Sequence, residues 1–515
     1  MRTLLLTLTS LLCVASLFAV PSSYAPCQAE GEDADSLHLG EVTDSLFEQM
    51  KSRLSEQSLP LVNLTVNLAQ MDKNHYETGE IEIADYWRRT DSSAVSVRYH
   101  CKLRIRGNTS IFFDKKCFAV KLIDDDGENL NANILGIREE NNWILDAMAT
   151  DRLRMRNRVC FDVWNELSRI PYNTKFGNRN GTEGVFVEVF VNGAYHGLYC
   201  LTDKIDRKLL GLKKAEVSGD TVTVRGLLYK GIDWNEGHDL LSYTEVPTDQ
   251  TTWNAWELQY PDDYPSADAW QPLMNLIGFC SSATTDDVFL EQYPSWFYPS
   301  NLLDYVVFTL AMNIGDNGYK NTFLSVVDIN KGHRYMLSPW DMDMSLGARW
   351  DGSYNDDYAC VGRYDGTAPF NRLMAQNMDA FKDSLVHRWE SRCAALFSPD
   401  SICRRLEHYA QLFAASGAWT RELARWNGNP VPLREDIMEE LDTVRILYGQ
   451  NYNSLCEQLS TIPTDGIIDI SMCQPYTTSS QGSPPVSYFD LQGRRLNGKP
   501  TKGLYIQNGR KQVVR

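Results

Sequence analysis

A chain of 515 residues, 43% of them hydrophobic and 11% aromatic, is too long for one ordinary core and too apolar for disorder, so one large two-lobed domain with appendages is expected. The formal net charge of −17 argues against a nucleic-acid partner, because a phosphate backbone needs a Lys/Arg surface. No pair of cysteines has C-x-x-C spacing and the eight His do not cluster, which disfavours zinc.

The first residues, MRTLLLTLTSLLCVASLFAVPSSYA, combine Arg2, an apolar run and then small side chains, the pattern of a secretory signal peptide within residues 1–29, cut between 19 and 29. That run is short for a membrane span, and no later segment approaches the ~20 apolar residues a span needs. A mature chain without a transmembrane segment is therefore expected in the periplasm, at the cell surface or outside the cell. Its ten or eleven remaining cysteines are free to form disulfides there, with Cys101 and Cys117 a candidate pair across one hairpin.

After a polar leader (30–57), LPLVNLTVNL (60–69) and GEIEIADYW (79–87) read as strands. AVSVRYHCKLRIRG (94–107) alternates cleanly, with Val97, Tyr99, Cys101, Leu103 and Ile105 on one face and charges on the other. A Gly-Asn-Thr-Ser loop leads to a second strand, KCFAVKLID. Residues 150–168 carry the stripe of an amphipathic helix, capped by Thr150 or Asp151. VFVEVFV and AYHGLYCLT make a hairpin about Asn192-Gly193. Between 210 and 300 the elements cannot be ordered, and the aromatic residues of 250–300 read more readily as a packed insertion than as a stacking surface. A helix (301–313), a hairpin (321–340) and helices throughout 370–460 follow, then a Ser/Pro-rich linker (477–485) and a basic, strand-rich tail (486–515).

Three stretches bear on chemistry. The turn at Arg106, Gly107 and Asn108 offers backbone N–H groups that would lie over phosphates. Lys121, two residues past a small residue on a strand, is placed as kinases place the lysine that pairs the α/β-phosphates. On the following helix Glu166 is a candidate ion-pair partner for Lys121, and Arg154, Arg156 and Asn157 would face phosphate, whereas Arg152 and Arg158 read as solvated. DNGYKN then sets Asp316 five positions before Asn321, and a hairpin ends at Asp341. Phosphoryl transfer needs an acid near the acceptor hydroxyl and hard oxygen ligands for Mg²⁺; Asp316 fits the first role, Asn321 and Asp341 the second. Lys320 would neutralise the transferring phosphate or be solvated, and Asp343 would share the metal or, more simply, bond its own turn.

RGNTS…KKCFAVKL (106–122), residues 134–167, VEVFVNGAYHGLYCLTDKIDR (187–207), DNGYKN and SPWDMDMSLG (338–347) together resemble the CotH-like atypical kinases, named for a bacterial spore-coat protein. The resemblance spans about 58–445. It implies an α+β, divergent two-lobed kinase-like fold, with a β-rich lobe (about 58–203), a mainly helical lobe (about 204–445) and a helical extension (446–476). It also implies binding of ATP with Mg²⁺ or Mn²⁺, phosphorylation of protein, Asp316 as the catalytic acid-loop residue, Asn321 and Asp341 at the metal, and Leu201 to Asp203 as an interlobe hinge facing adenine. Where the family often has Trp before the acid and His two after it, this chain has Gly315 and Gly318, which would make the loop more pliable. The tail resembles a shortened form of those on secreted Bacteroidetes proteins, implying surface delivery and a surface-protein substrate. Two other classes stay open: a catalytically weak pseudokinase acting as a surface binding or structural module, and a glycoside hydrolase using Asp341 and Asp343, which sit too close in sequence to flank a sugar easily.

Overall fold

The computed structural model describes residues 45–463, except 87–94, 234–239, 241–244, 319, 356 and 365, together with the backbone of four short strands between 488 and 514. The expected signal peptide, most of the polar leader and the linker lie outside the described residues.

Helix α1 (Leu46–Ser52) precedes seven strands, β1 (Leu61–Thr65), β2 (Glu77–Ala84), β3 (Ser96–Arg106), β4 (Cys117–Ile123), β5 (Asn142–Asp146), β6 (Gly184–Val191) and β7 (Ala194–Thr202). They close into a barrel in the order β1-β2-β3-β4-β5-β7-β6. The two-residue period explains its filling: Cys101, Leu103, Phe118, Val120, Leu122 and Leu145 pack in the interior, while Arg106, Cys117 and Asp146 fall in one row on the outer face. Closure comes from β1 pairing in parallel with β6. The Asn192-Gly193 turn, with φ 51° and 80°, has the two left-handed residues of a tight hairpin. Asn192 also accepts from Val66 N (3.1 Å) and Gly193 N donates to Asn63 Oδ1 (2.9 Å), so the same turn staples β6–β7 to β1.

Helix α2 (Arg156–Leu167) starts later than its stripe suggests. Arg154 takes φ 57°, and the Asp151 carboxylate accepts from Leu153 N, Met155 N and Arg156 N at 2.9, 2.7 and 2.7 Å, which caps the helix. Its Val159, Val163, Trp164 and Leu167 enter a second, larger core. Arg158, expected in solvent, is buried and donates to Asp162 and to Thr182 O.

Around that core, a ribbon of β8 (Glu216–Ser218) and β9 (Thr221–Thr223) precedes a sheet of β10 (Leu227–Gly231), β11 (Thr252–Trp253), β12 (Trp256–Tyr260), β13 (Thr322–Val326) and β14 (Met336–Pro339), ordered β11-β12-β10-β13-β14. Helices α3 (Ala267–Cys280), α4 (Asp286–Trp296) and α5 (Pro299–Ala311) lie between β12 and β13 in sequence. After β14 come α6 (Phe370–Ala375), α7 (Phe381–Arg388), α8 (Pro399–Ala415), α9 (Ala418–Trp426) and α10 (Ile437–Ser460). Much of the aromatic insertion is packed, with Trp253, Trp256, Trp270 and Tyr293 buried, while Tyr264 is exposed. Helix α10 runs unbroken through residue 445, where the domain was expected to end.

The α+β class is as expected. A closed barrel stands where an N-terminal kinase-like lobe was expected, because β1 finds its second partner in β6 rather than leaving an open edge. Cys101 and Cys117, the expected pair, are both free thiols. Cys101 faces Leu122 and Cys117 faces Arg106 across β3–β4, too far apart along the strands to bridge. No helix among the described residues is long and apolar enough to cross a membrane. The tail forms a four-stranded antiparallel sheet, β15 (Tyr488–Phe489), β16 (Arg495–Leu496), β17 (Gly503–Gln507) and β18 (Arg510–Val514).

Candidate active site

Helix α5 ends at a loop that its neighbours brace at nearly every residue. Arg363 donates to Ile314 O (2.7 Å), Gly315 N to Met344 O (3.2 Å), Tyr305 OH to Asn317 O (2.9 Å) and Thr367 Oγ1 to Gly318 O (3.2 Å). Asn317, whose part no local pattern shows, is buried and donates to Asn321 O (2.7 Å) and Trp340 O (3.0 Å). Neither Gly315 nor Gly318 has a positive φ, so the expected pliability is offset by these bonds.

The loop turns Asn321 into the left-handed region (φ 55°). Its backbone N–H donates to Gly231 O at the end of β10 and its carbonyl accepts from Trp340 N, at 3.0 and 2.9 Å. Held at both ends, its side chain returns to Asp316: Asn321 Nδ2 donates to Asp316 Oδ2 at 3.2 Å, and Lys320 Nζ lies 2.9 Å from the same oxygen. Burial raises the pKa of Asp316, Lys320 opposes the rise and the charge of Asp341 adds to it, leaving the carboxyl above its ordinary value.

Asp341 follows β14, is exposed and has φ 56°. Two residues on, Asp343 accepts from Met344 N (2.9 Å) and Thr150 Oγ1 (3.4 Å). Burial, and then the charges of Asp341, Asp146, Asp316 and Asp151, push its carboxyl well above the usual range. Asn157 is a strut: its Oδ1 accepts from Met342 N (3.1 Å) and its Nδ2 donates to Asp146 Oδ2 (2.9 Å). The backbone between the two acids is thereby tied to α2 and β5.

Beside these acids an open cleft of about 330 Å³ is lined by Arg106, Asp146, Asn157, Phe161, Thr202 and Trp340, among others. Gly107 has φ 116° and a Cβ there would overlap Ser110 Oγ, so the turn after Arg106 requires glycine. Asn108 is exposed at that turn.

Other expected site residues go elsewhere. Lys121 faces Lys102 and Asn142, four residues along β4 from the Arg106–Cys117 pair, roughly 13 Å at strand rise. Glu166 does not serve it, since Arg405 Nη2 on α8 donates to Glu166 at 2.6 Å. Arg156 does not face phosphate: it is buried against Asp151 and donates to Tyr354 OH at 2.9 Å. Leu201 points into the barrel, placed there by strand alternation. Asp203 is buried, accepting from Arg138 Nε (2.6 Å) and Glu183 N (2.8 Å). Neither side chain is thus presented as a hinge contact for adenine. Conversely, Trp340 and Lys230 border the site and were not foreseen; the approach of Lys230 to the Trp340 ring and the charge of Asp341 acting on Lys230 identify them.

Among the described residues, no group of three or more His, Cys, Asp or Glu side chains is placed to hold a metal by itself. The oxygens available are those of Asp341 and Asn321, with Asp316 and Asp343 adjacent. Mg²⁺ characteristically takes one or two carboxylates and completes its shell with water and substrate phosphates, so this donor set fits it.

A comparison with curated proteins gave no match. The family model described as CotH kinase protein matches residues 103–447, which is well over half of the 515 residues and includes the barrel strands from the end of β3 on, the braced loop and both acids. The chain belongs to the CotH kinase protein family.

Proposed function

We propose that this protein is an exported, atypical protein kinase that transfers the γ-phosphate of ATP to Ser or Thr hydroxyls of a protein substrate, itself a surface protein. The observation that carries the reading is the Asp316–Asn321 hydrogen bond, formed across a five-residue loop with the charge of Asp341 acting on the same carboxylate. In this reading Asp316 accepts the proton of the substrate hydroxyl as its oxygen bonds to Pγ and the bond from Pγ to the ADP oxygen breaks. The raised pKa of Asp316 suits proton acceptance, and Lys320 holds its carboxylate in place. Asn321 and Asp341 would hold Mg²⁺ or Mn²⁺, which when bound would neutralise charge on the phosphates. The turn from Arg106 to Asn108 would cover the phosphates from the barrel side.

The test is metal-dependent incorporation of radiolabelled phosphate from ATP, with the mature chain as enzyme. Asp316→Ala and Asp341→Ala should each abolish it, and unchanged labelling in both would overturn the reading. One observation favours the second reading, a binding module: Asp316 is already engaged by Lys320 at 2.9 Å. A pseudokinase that binds nucleotide would be stabilised by about 2.7 kcal/mol at 100 times Kd and a pure binding module not at all, and neither would incorporate phosphate.

A further inference from the structure

Trp340 is the point where the barrel and the second sheet meet beside the acids. Its ring contacts Phe161 of α2 and Phe323 of β13 at 5.9 and 5.7 Å between centroids. Two cations approach the same ring: the Arg106 guanidinium from the end of β3 at 5.7 Å and the Lys230 ammonium from β10 at 5.9 Å. Neither forms a hydrogen bond or an ion pair among the described residues. Other half-buried or buried cations of the protein do so, as with Lys51 on Glu82, Arg138 on Asp203, Lys208 on Glu140 and Arg421 on Glu188.

The pair is electrostatically incomplete. Burial lowers the pKa of Lys230, Asp341 works against that, and Arg106 and then Lys320 lower it further. A half-buried ammonium and guanidinium that repel one another, with their N–H donors unused, form a site for an anion with several acceptor oxygens. The position fits one. Lys230 immediately precedes Gly231, whose carbonyl accepts from Asn321 N, and Asp341 immediately follows Trp340, so the cations and the metal-binding oxygens share one small region.

We infer that Lys230 and Arg106 are the grip for the triphosphate chain of a nucleoside triphosphate, Lys230 taking the part that the resemblance gives to Lys121. This rests on the nucleotide-binding reading above and adds which side chains meet the phosphates. Two strands from different sheets supply the grip, with Trp340 as a shared apolar and π-rich wall that sets the separation of the two charges.

Equilibrium binding of ATP and of inorganic tripolyphosphate to the full chain tests it, each without and with Mg²⁺. Wild type should bind both probes. Lys230→Met should weaken both at least tenfold, Lys230→Arg should recover part of the loss, and Lys121→Met should stay within twofold of wild type. Melting temperature serves as the folding control, because removing an unpaired cation should leave it unchanged or raise it. Equal binding by wild type and Lys230→Met, or a wild type that binds neither probe, would overturn the grip. If tripolyphosphate binds and is lost in Lys230→Met while ATP does not bind, the grip stands and the nucleotide reading falls.

Discussion

Two charged clusters lie on opposite accounts of the same physics. Where α9 packs on the barrel, Glu422 is fully buried and accepts from Lys115 Nζ (2.6 Å), Arg154 Nε (2.8 Å) and Leu198 N (2.8 Å). Lys115 and Arg154, equally buried, donate also to the carbonyls of Leu198, Met148 and Ala149. Burial alone would raise the pKa of Glu422, but Lys115 and Arg154 overcome it and hold the carboxyl below its ordinary value. Burial pushes Lys115 down to about 8 as well, so the cleft differs in its acids and in its unmade bonds: Asp316 and Asp343 are raised, and Lys230, also lowered, has no side-chain hydrogen bond among the described residues. The joint's shared carboxylate is fully engaged, with Arg154 Nη2 the donor left over; a nearly closed set of partners is what a structural joint needs, whereas an open set is what a ligand completes.

The largest expected effect tests the closed set. Glu422→Ala leaves two cations buried without their shared acceptor, and losing one partner of a buried pair typically costs about 3–5 kcal/mol. Urea unfolding should show that loss. A change under about 1 kcal/mol would mean that water reaches the joint and that the two clusters do not differ in kind.

A smaller effect concerns His196, which lies in the same joint between Trp426, Phe118 and Tyr199. Burial pushes its pKa down to about 4, Lys115 and Arg425 add to the fall and Glu422 opposes it. The native side chain is therefore neutral where the unfolded one, near 6.5, takes up a proton. Its contribution is intact above about pH 6.5 and is lost as pH falls toward about 4. His196→Phe should remove that part of the acid sensitivity, on the order of 3 kcal/mol across the window. Superimposable stability–pH curves for the two proteins would show that His196 is protonated in the native joint.

What could be read beforehand follows the range of the interactions. The β3 and β4 strands, the Asn192-Gly193 turn, helix α5 and the β13–β14 hairpin were legible because period and turn chemistry are local. So was Asp316 with Asn321 and Asp341, since a short loop and a hairpin fix their order. Barrel closure was not, because nothing within β1 announces β6 as its parallel partner. The roles of Arg156 and Glu166 also escaped, since a helical wheel cannot show that Asp151 and Tyr354 take the first and Arg405 the second. Lys230 was invisible for the same reason: its significance lies in Trp340 and Arg106, more than 100 residues away on either side.

The smallest effect asks what holds the loop of the open cluster. If glycine supplied its shape, alanine would distort it. A Cβ on Gly318 would meet Arg363 Cδ at 3.7 Å, and one on Gly315 would meet Met344 Cε at 3.4 Å, both ordinary contacts. With neither residue at a positive φ, alanine should act mainly by restricting the unfolded chain, a gain of roughly 0.4–1 kcal/mol. Gly315→Ala and Gly318→Ala should therefore melt no lower than wild type and keep wild-type phosphate incorporation. A variant that melts normally but loses incorporation would show that the loop must move during turnover. In that case the bonds from Arg363, Tyr305 and Thr367 describe only one of its working states, and the cleft differs from the Glu422 joint in motion as well as in charge.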